Sequence, residues 1–148
     1  MAGMGSVEPG RPSPGSTRGR SPIMRVLIAD ESSSLPLLIR RILDDHEVIE
    51  AGTGEAALDV IRAAPVDIAI LDMNMPGGNG LNICRAIRRD PSYAATVVIV
   101  ITANDATEAE QQALDAGASA FLARPFSPRR LRELVEVLAV TSAPRQPR

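Results

Sequence analysis

At 148 residues, the chain has the length of one domain, whose core needs no disulfide or metal for support. Hydrophobic residues make up 45% and charged residues 23%, as in ordinary globular proteins, and every apolar stretch is shorter than the roughly 18 to 20 residues that cross a bilayer. The net charge is -2, and residues 24–140 hold 11 Arg against 17 acidic residues, unlike a typical basic DNA-binding module.

The two ends of the chain differ in composition from the region between them. Residues 1–23 are mainly Gly, Pro, Ser and Arg, and we expect a disordered arm there and a second disordered tail at 141–148. Met24 directly precedes the first predicted strand, so a translation start at Met24 is an alternative interpretation of the arm. The N-terminus lacks the pattern of a secretory signal, and the single Cys84 cannot form an internal disulfide, so we expect a cytoplasmic location.

Short apolar runs alternate with amphipathic segments through residues 24–140, the predicted domain. The strands are predicted at residues 25–30, 47–51, 66–71, 97–101 and 119–123. The helices are predicted at about residues 33–44, 54–63, 80–89, 106–116 and 128–139. N-terminal helix signals are Ser32 to Ser34, Thr53 and Ser127-Pro128, and C-terminal signals are Asp90-Pro91 and Gly117. These repeats predict an α/β fold, a doubly wound parallel sheet with helices on both faces.

Polar side chains follow four of the predicted strands. Asp30 and Glu31 follow the first strand, Asp72 the third, Thr102 the fourth and Arg124 the fifth. Because parallel strands present their carboxyl ends at one edge of the sheet, we expect these side chains to line one crevice, where open α/β sheets bind ligands. The loop after Asp72 is predicted to present its carboxylate to solvent rather than bury it.

The acidic residues at this edge predict a cation site. Adjacent strands are about 5 Å apart, so Asp30, Glu31 and Asp72 would share a small volume and need a positive charge between them. Carboxylates with a backbone carbonyl and water suit Mg²⁺ better than Zn²⁺. Taken singly, each acid could be an ordinary surface residue, but their shared position at strand ends favours the site.

Thr102 and Arg124 add a hydroxyl and a cation to the same edge. A transferred phosphoryl group requires such donors and positive charge around its equatorial oxygens. Asp72 is the best-placed nucleophile, because a carboxylate can form an acyl phosphate when these groups stabilise the transfer. The residues therefore predict a site that accepts phosphate on Asp72.

Four segments together resemble the receiver domain of two-component response regulators, in the CheY-like, stand-alone form. They are Asp30-Glu31, Leu71 through Gly80, Ile101-Thr102-Ala103 and Arg124-Pro125-Phe126, within a match from about residue 24 to 140. The resemblance implies a five-stranded sheet of order 2-1-3-4-5 with five helices.

The resemblance also implies roles for the site residues. Asp72 would be the phosphoacceptor for a histidine kinase or phosphotransfer protein. Mg²⁺ would be held by Asp30, Glu31, Asp72 and the backbone carbonyl of Asn74. The domain would be a signalling switch and not an enzyme.

The implied output is a change in a protein-binding face. Thr102 would bind the phosphoryl group and, with Phe121, couple it to the face formed by the fourth helix, fifth strand and fifth helix, where a downstream protein would dock. The first helix would contact the phosphoryl donor. Neither DNA nor a membrane is an expected partner.

Arg124 departs from the family pattern, which has Lys before this proline. Lys is a compact charge on a flexible stem, whereas the guanidinium of Arg is planar and fork-shaped. The chain contains no Lys, so composition alone could account for the exchange. We predict a working phosphoacceptor with altered kinetics or coupling. The alternative is a constitutive interaction module that has lost the switch.

An aspartyl phosphatase is a third possible function for this arrangement of acids. It would need a general acid two residues after its nucleophile, and Asn74 cannot supply one. Cys84 is predicted to be a packing residue. His46, in a turn, is predicted to be solvated.

Overall fold

The computed structural model describes residues 23–32, 34–73, 75, 80–102 and 107–141. Its strands are β1 (Arg25–Ala29), β2 (Glu47–Ala51), β3 (Ile68–Asp72), β4 (Val97–Thr102) and β5 (Ala120–Ala123). Its helices are α1 (Ser34–Ile42), α2 (Gly54–Ala63), α3 (Gly80–Arg89), α4 (Thr107–Asp115) and α5 (Pro128–Thr141). Strands and helices alternate along the chain, as the apolar periodicity predicts.

All strand pairs of the sheet are parallel, in the order β2-β1-β3-β4-β5. The predicted fold class and strand order are therefore confirmed. The chain changes direction across the sheet between β1 and β3, which is the switch point of a doubly wound fold. The carboxyl ends of β1 and β3 flank the crevice where such sheets bind ligands.

Two apolar layers cover the sheet. Side chains of α1 and α5 pack on one face, and side chains of α2, α3 and α4 pack on the other. Because both faces are covered, β3 and β4 are buried at every residue. Among the described residues, the largest fully buried side chains are all Leu or Ile. Burying one such side chain stabilises a fold by about 1.5–3 kcal/mol.

Hydrogen bonds confirm the predicted caps of two helices. The Thr53 hydroxyl accepts a bond of 3.1 Å from the amide of Ala56 at the start of α2. The Ser127 hydroxyl accepts one of 3.0 Å from the amide of Arg130 at the start of α5. Gly117 follows α4 with a φ of 103°, the left-handed conformation expected of a C-terminal glycine.

Helix α1 ends at Ile42, two residues earlier than predicted. Arg132 of α5 donates to the Ile42 carbonyl at 2.7 Å and also to the carboxylate of Asp45. These contacts satisfy the end of the helix from outside it. A partner 90 residues away in sequence thus supplies a hydrogen bond at the point where the chain leaves the helix towards β2.

Other boundaries differ by one or two residues. Strand β3 begins two residues later than predicted and includes Asp72, and β4 includes Thr102. A short 3-10 helix, Pro91–Tyr93, follows α3 and was not predicted. Asp90 begins it, because its carboxylate accepts a bond of 2.9 Å from the amide of Ser92.

The predicted arm and tail, residues 1–23 and 141–148, lie outside the described residues except for Ile23 and Thr141. Thr141 is the last residue of α5 rather than part of a tail. Within the residues that the structure describes, no helix has the length and apolar character needed to cross a membrane.

Candidate functional site

Strand register brings the predicted site residues to one edge of the sheet. Ala29 of β1 pairs with Leu71 of β3, so the next residues, Asp30 and Asp72, extend from neighbouring strand ends. Thr102 likewise pairs with Ala123, the residue before Arg124. We therefore find Asp30, Asp72, Thr102 and Arg124 at the carboxyl ends of four consecutive strands of the sheet.

Burial separates these residues from ordinary surface polar groups. Asp30, Asp72 and Thr102 are 4%, 6% and 2% exposed. Within the described chain they are three of four buried polar residues, the other being Thr96. Burying polar groups is unfavourable unless they have partners, so three buried polar side chains at one edge indicate a site where specific partners surround them.

The prediction that Asp72 would present its carboxylate to solvent is wrong. Gly80 donates from its amide to the Met73 carbonyl at 3.2 Å, which folds the start of α3 against the end of β3. The guanidinium of Arg124 approaches from the end of β5. The second contact joins residues far apart in sequence, and the first depends on the path of the loop after β3, so the apolar pattern around Asp72 revealed neither.

Arg124 forms an ion pair with Asp72. Its Nη2 lies 3.6 Å from Oδ2 of Asp72, and its amide donates to the Thr102 carbonyl at 2.9 Å. The Nε of Arg124 is buried and has no hydrogen-bond partner within the described residues. A buried donor without a partner costs about 1–3 kcal/mol. The Arg124-Pro125 peptide bond is cis.

Asp30 is oriented by two hydrogen bonds. Its amide donates to the Ala51 carbonyl at 3.0 Å, and its Oδ2 accepts a bond of 3.0 Å from the Ser32 hydroxyl. The role of Ser32 was missed, because the run of serines before α1 indicated only possible helix caps. No local signal in the sequence distinguishes the two roles.

The donor set fits Mg²⁺ better than a soft metal. Asp30 and Asp72 are hard oxygen ligands, and Mg²⁺ is commonly bound by one or two carboxylates while keeping several waters. Glu31 is exposed, and Asn74 lies outside the described residues. Among the described residues, no three His, Cys, Asp or Glu side chains form a group that could hold a metal ion. The metal-binding roles of Asp30, Glu31, Asp72 and Asn74 all remain predictions.

Gly80 is a second residue whose importance was missed. A Cβ atom built on it would lie 2.5 Å from the backbone oxygen of Asp72. Only glycine permits this approach between α3 and Asp72. The sequence shows Gly80 simply as the end of a glycine-rich loop.

The residues predicted to couple the site to a surface lie on one face of the sheet. Phe121 pairs with Val100 and packs, half-buried, on the side covered by α2, α3 and α4. Thr102 is two residues after Val100, so it faces the same way. The arrangement is compatible with coupling, which itself stays a prediction.

Two residues outside the site have different outcomes. The expectation of a solvated His46 is wrong, because its side chain is 4% exposed and its Nδ1 accepts a bond of 3.1 Å from the Met24 amide. Cys84 is buried, as predicted, and its Sγ donates to the Ala116 carbonyl at 3.3 Å. Burial raises the pKa of the Cys84 thiol above its usual value, although Arg88 and Arg85 oppose this.

Comparison with known sequences shows extended similarity to one family. Residues 26–136 match the response regulator receiver domain family. The chain is 30% identical over 116 residues to the chemotaxis protein CheY of Pseudomonas aeruginosa, covering 76% of this chain and 94% of that protein. It is 32% identical over 123 residues to the chemotaxis protein CheY1 of Helicobacter pylori, covering 80% and 99% of the two chains.

Solved structures show the same similarity. A putative response regulator from Chloroflexus aurantiacus matches with a TM-score of 0.77 at 28% identity, covering 80% of this chain and 99% of that one. The chemotaxis protein CheY4 of Vibrio cholerae matches with a TM-score of 0.74 at 29% identity, covering 79% and 99%. The similarity therefore extends over nearly the full length of these neighbours.

Proposed function

This chain belongs to the response regulator receiver domain family, and we propose that it is a single-domain response regulator that accepts a phosphoryl group on Asp72. The donor is a histidine kinase or phosphotransfer protein, and the result is a change in a protein-binding face. Receiver domains are signalling domains rather than classical enzymes. A cytoplasmic location is part of the same proposal.

The contact between Asp72 and Arg124 carries the proposal. The Asp72 side chain, which is 9% exposed, lies at the end of β3 with a guanidinium nitrogen of Arg124 3.6 Å away. A guanidinium at this position provides positive charge where a phosphoryl group on Asp72 would carry its negative charge. The buried hydroxyl of Thr102 lies at the neighbouring strand end and is the proposed second donor.

The proposed transfer conserves every atom. A carboxylate oxygen of Asp72 attacks the phosphorus of the donor phosphohistidine and forms a P–O bond. The P–N bond breaks, its electron pair returns to the imidazole nitrogen, and that nitrogen gains a proton from solvent. Asp30 and Asp72, with Glu31 and the Asn74 carbonyl as further proposed ligands, would hold Mg²⁺, which offsets negative charge on the phosphoryl group.

The proposed output follows from the added charge. Phosphorylation adds a charge of about -1.5 to -2 and three acceptor oxygens beside the Thr102 hydroxyl. Movement of Thr102 towards these oxygens leaves space on the face that also carries Phe121. Such a local change biases a two-state surface, which we propose is the face of α4, β5 and α5.

Exposed apolar side chains support two docking surfaces. Leu37 and Leu38 of α1 are 61% and 38% exposed and are proposed to meet the phosphoryl donor. Leu114 of α4 and Val137 of α5 are 45% and 61% exposed and belong to the proposed output face. The charge of residues 24–140 argues against direct DNA binding.

A constitutive interaction module is the second candidate. Its support is the identity of residue 124, because Arg124 stands where the family pattern has Lys. The buried Asp30 and Thr102 favour the switch, since a binding module without phosphate chemistry has no need for polar groups at this edge.

Intact-mass measurement of the full chain tests the proposal. The wild type, Asp72→Asn and Asp59→Asn are incubated with Mg²⁺ and either acetyl phosphate or phosphoramidate. Asp59 is a matched control, because it is an Asp with a 73% exposed side chain on α2. We expect one phosphoryl adduct on the wild type and on Asp59→Asn, and none on Asp72→Asn.

Two results would contradict the proposal. An adduct that persists on Asp72→Asn would place the chemistry on another residue. Absence of an adduct from the wild type, also with a panel of histidine kinases as donors, would favour the constitutive module.

A further inference from the structure

The side chain of Arg124 offers a two-donor edge at the acceptor carboxylate. In the planar guanidinium, Nε and Nη2 lie on the same edge, and their N–H bonds are nearly parallel. Nη2 is the atom that lies 3.6 Å from Oδ2 of Asp72, and Nε is the buried atom without a partner in the described chain. The guanidinium edge that faces Asp72 therefore includes Nε, a donor without a hydrogen-bond partner in the described chain.

The position of this edge is constrained from both ends. The Arg124 amide donates to the Thr102 carbonyl at 2.9 Å, which ties the backbone to β4. At the other end, the distance of 3.6 Å to Asp72 is that of an ion pair and is longer than an ordinary hydrogen bond. The carboxylate therefore attracts the guanidinium by charge, while Nε of Arg124 has no hydrogen-bond partner within the described residues.

We infer that the Nε–Nη2 edge of Arg124 is a bidentate receptor for two oxygens of a phosphoryl group on Asp72. The inference rests on the proposed function and adds how this chain recognises the bound group. Phosphoryl oxygens extend beyond the carboxylate and supply acceptors for both N–H groups. Paired charge-assisted hydrogen bonds of this kind are a property of Arg that the ammonium of Lys cannot reproduce.

A bidentate receptor and a merely tolerated replacement predict opposite effects of Arg124→Lys. If Arg124 were only a tolerated replacement, Arg124→Lys would restore a better site. If Arg124 is a bidentate receptor, Arg124→Lys keeps the charge but loses one of the two parallel donors. The bound phosphoryl group then becomes less stable although the family residue is present.

Equilibrium binding of beryllofluoride tests the inference, because its fluorine atoms stand in for phosphoryl oxygens. The full-length wild type, Arg124→Lys and Arg129→Lys are titrated with beryllofluoride in excess Mg²⁺, and binding is followed by amide NMR shifts. Arg129 is a matched control, since it is exposed on α5. We expect affinity to fall at least about tenfold for Arg124→Lys, the effect of losing one charge-assisted hydrogen bond, and to be unchanged for Arg129→Lys.

A second measurement needs only the wild type. The Nε–H signal of Arg124, assigned through its side-chain carbons, should shift and exchange more slowly with water when beryllofluoride binds. This readout keeps the inference testable if Arg124→Lys fails to fold, which a melting curve will show.

The results distinguish failure of the bidentate receptor from failure of the proposed phosphoacceptor function. If the wild type takes up phosphate from acetyl phosphate but Arg124→Lys binds beryllofluoride equally or more tightly, the bidentate receptor is overturned alone. An Nε–H signal that does not change on binding overturns it as well. If the wild type neither binds beryllofluoride nor forms an adduct, both the inference and the proposed function are overturned.

Discussion

The backbones of Gly80 and Asp72 lie close together. A Cβ atom on Gly80 would lie 2.5 Å from the backbone oxygen of Asp72 and 3.0 Å from its carbonyl carbon. The first residue of α3 is thus packed against the proposed phosphoacceptor residue. Backbone atoms cannot move aside as a flexible side chain can.

Replacing Gly80 with Ala is therefore expected to destabilise the protein. The overlap should cost about 1–3 kcal/mol, as overpacking usually does. Urea unfolding of the full chain measures this change. Gly52→Ala is the matched control, because no atom lies within 4 Å of the added Cβ, and its effect should stay within about 0.5 kcal/mol. Equal stability of Gly80→Ala and the wild type would contradict this close approach of the two backbones.

Removing the Ser32 hydroxyl is expected to weaken Mg²⁺ binding. Ser32 donates to Oδ2 of Asp30 at 3.0 Å and so orients a proposed ligand. Loss of such an outer partner lowers metal affinity by about tenfold or more. Calorimetric titration of Ser32→Ala with MgCl₂ measures it, and Ser92→Ala provides an exposed serine control. Unchanged affinity in Ser32→Ala would show that Asp30 needs no help from this hydroxyl.

The contact between Asp45 and Arg132 predicts a pH-dependent contribution to stability. The hydrogen bond from Arg132 lowers the pKa of the Asp45 carboxyl from its usual value of 3.8, and the same bond raises the pKa of Arg132. Because the Asp45 pKa is lower in the folded state, this stabilisation is complete above the unfolded pKa. It is lost as the pH falls through the folded pKa.

The Asp45 side chain is 43% exposed, so solvent screens the pair. We expect Asp45→Asn to lower the free energy of unfolding at pH 7 by less than about 1 kcal/mol. The difference from the wild type should shrink as the pH falls below 4. Urea unfolding across this range tests the trend. A difference that stays constant at acid pH would mean that the stabilisation does not depend on the charge of Asp45.

The bond from the Met24 amide to Nδ1 of His46 predicts one imidazole tautomer. Nδ1 must be unprotonated to accept this bond, so the proton of the neutral ring lies on Nε2. Nitrogen-15 NMR of the ring distinguishes the two tautomers. A neutral ring with its proton on Nδ1 would be incompatible with the bond.

A pair of substitutions tests the same bond energetically. His46→Phe leaves the amide of the buried Met24 without an acceptor, which should cost about 1–3 kcal/mol. His46→Asn keeps an acceptor near the Nδ1 position and should recover part of that loss. Equal stability of the two variants would indicate that the acceptor is unimportant.

Local sequence patterns were sufficient for most of the fold. Apolar runs of four to six residues match strands that helices cover on both faces, and Thr53, Ser127 and Gly117 act within a few residues of where they stand in the chain. The end of α1 lies two residues before the predicted one, and the side chain that donates to its last carbonyl, Arg132, belongs to a different helix. A partner from a distant part of the chain cannot be recognised in the sequence of the helix that it contacts.

For the candidate site, the sequence by itself determined which chemical groups follow the strands and that parallel strands would gather them. Only the tertiary structure decided how those groups are arranged. The burial of Asp72 and the direction of the Arg124 guanidinium depend on segments that meet through folding. The bond from Ser32 to Asp30 and the approach of Gly80 to Asp72 join residues that are close in sequence, but they depend on the path that the backbone takes after each strand. Strand periodicity follows from neighbouring residues along the chain, whereas burial and the path of the loops depend on packing between residues that are far apart in it.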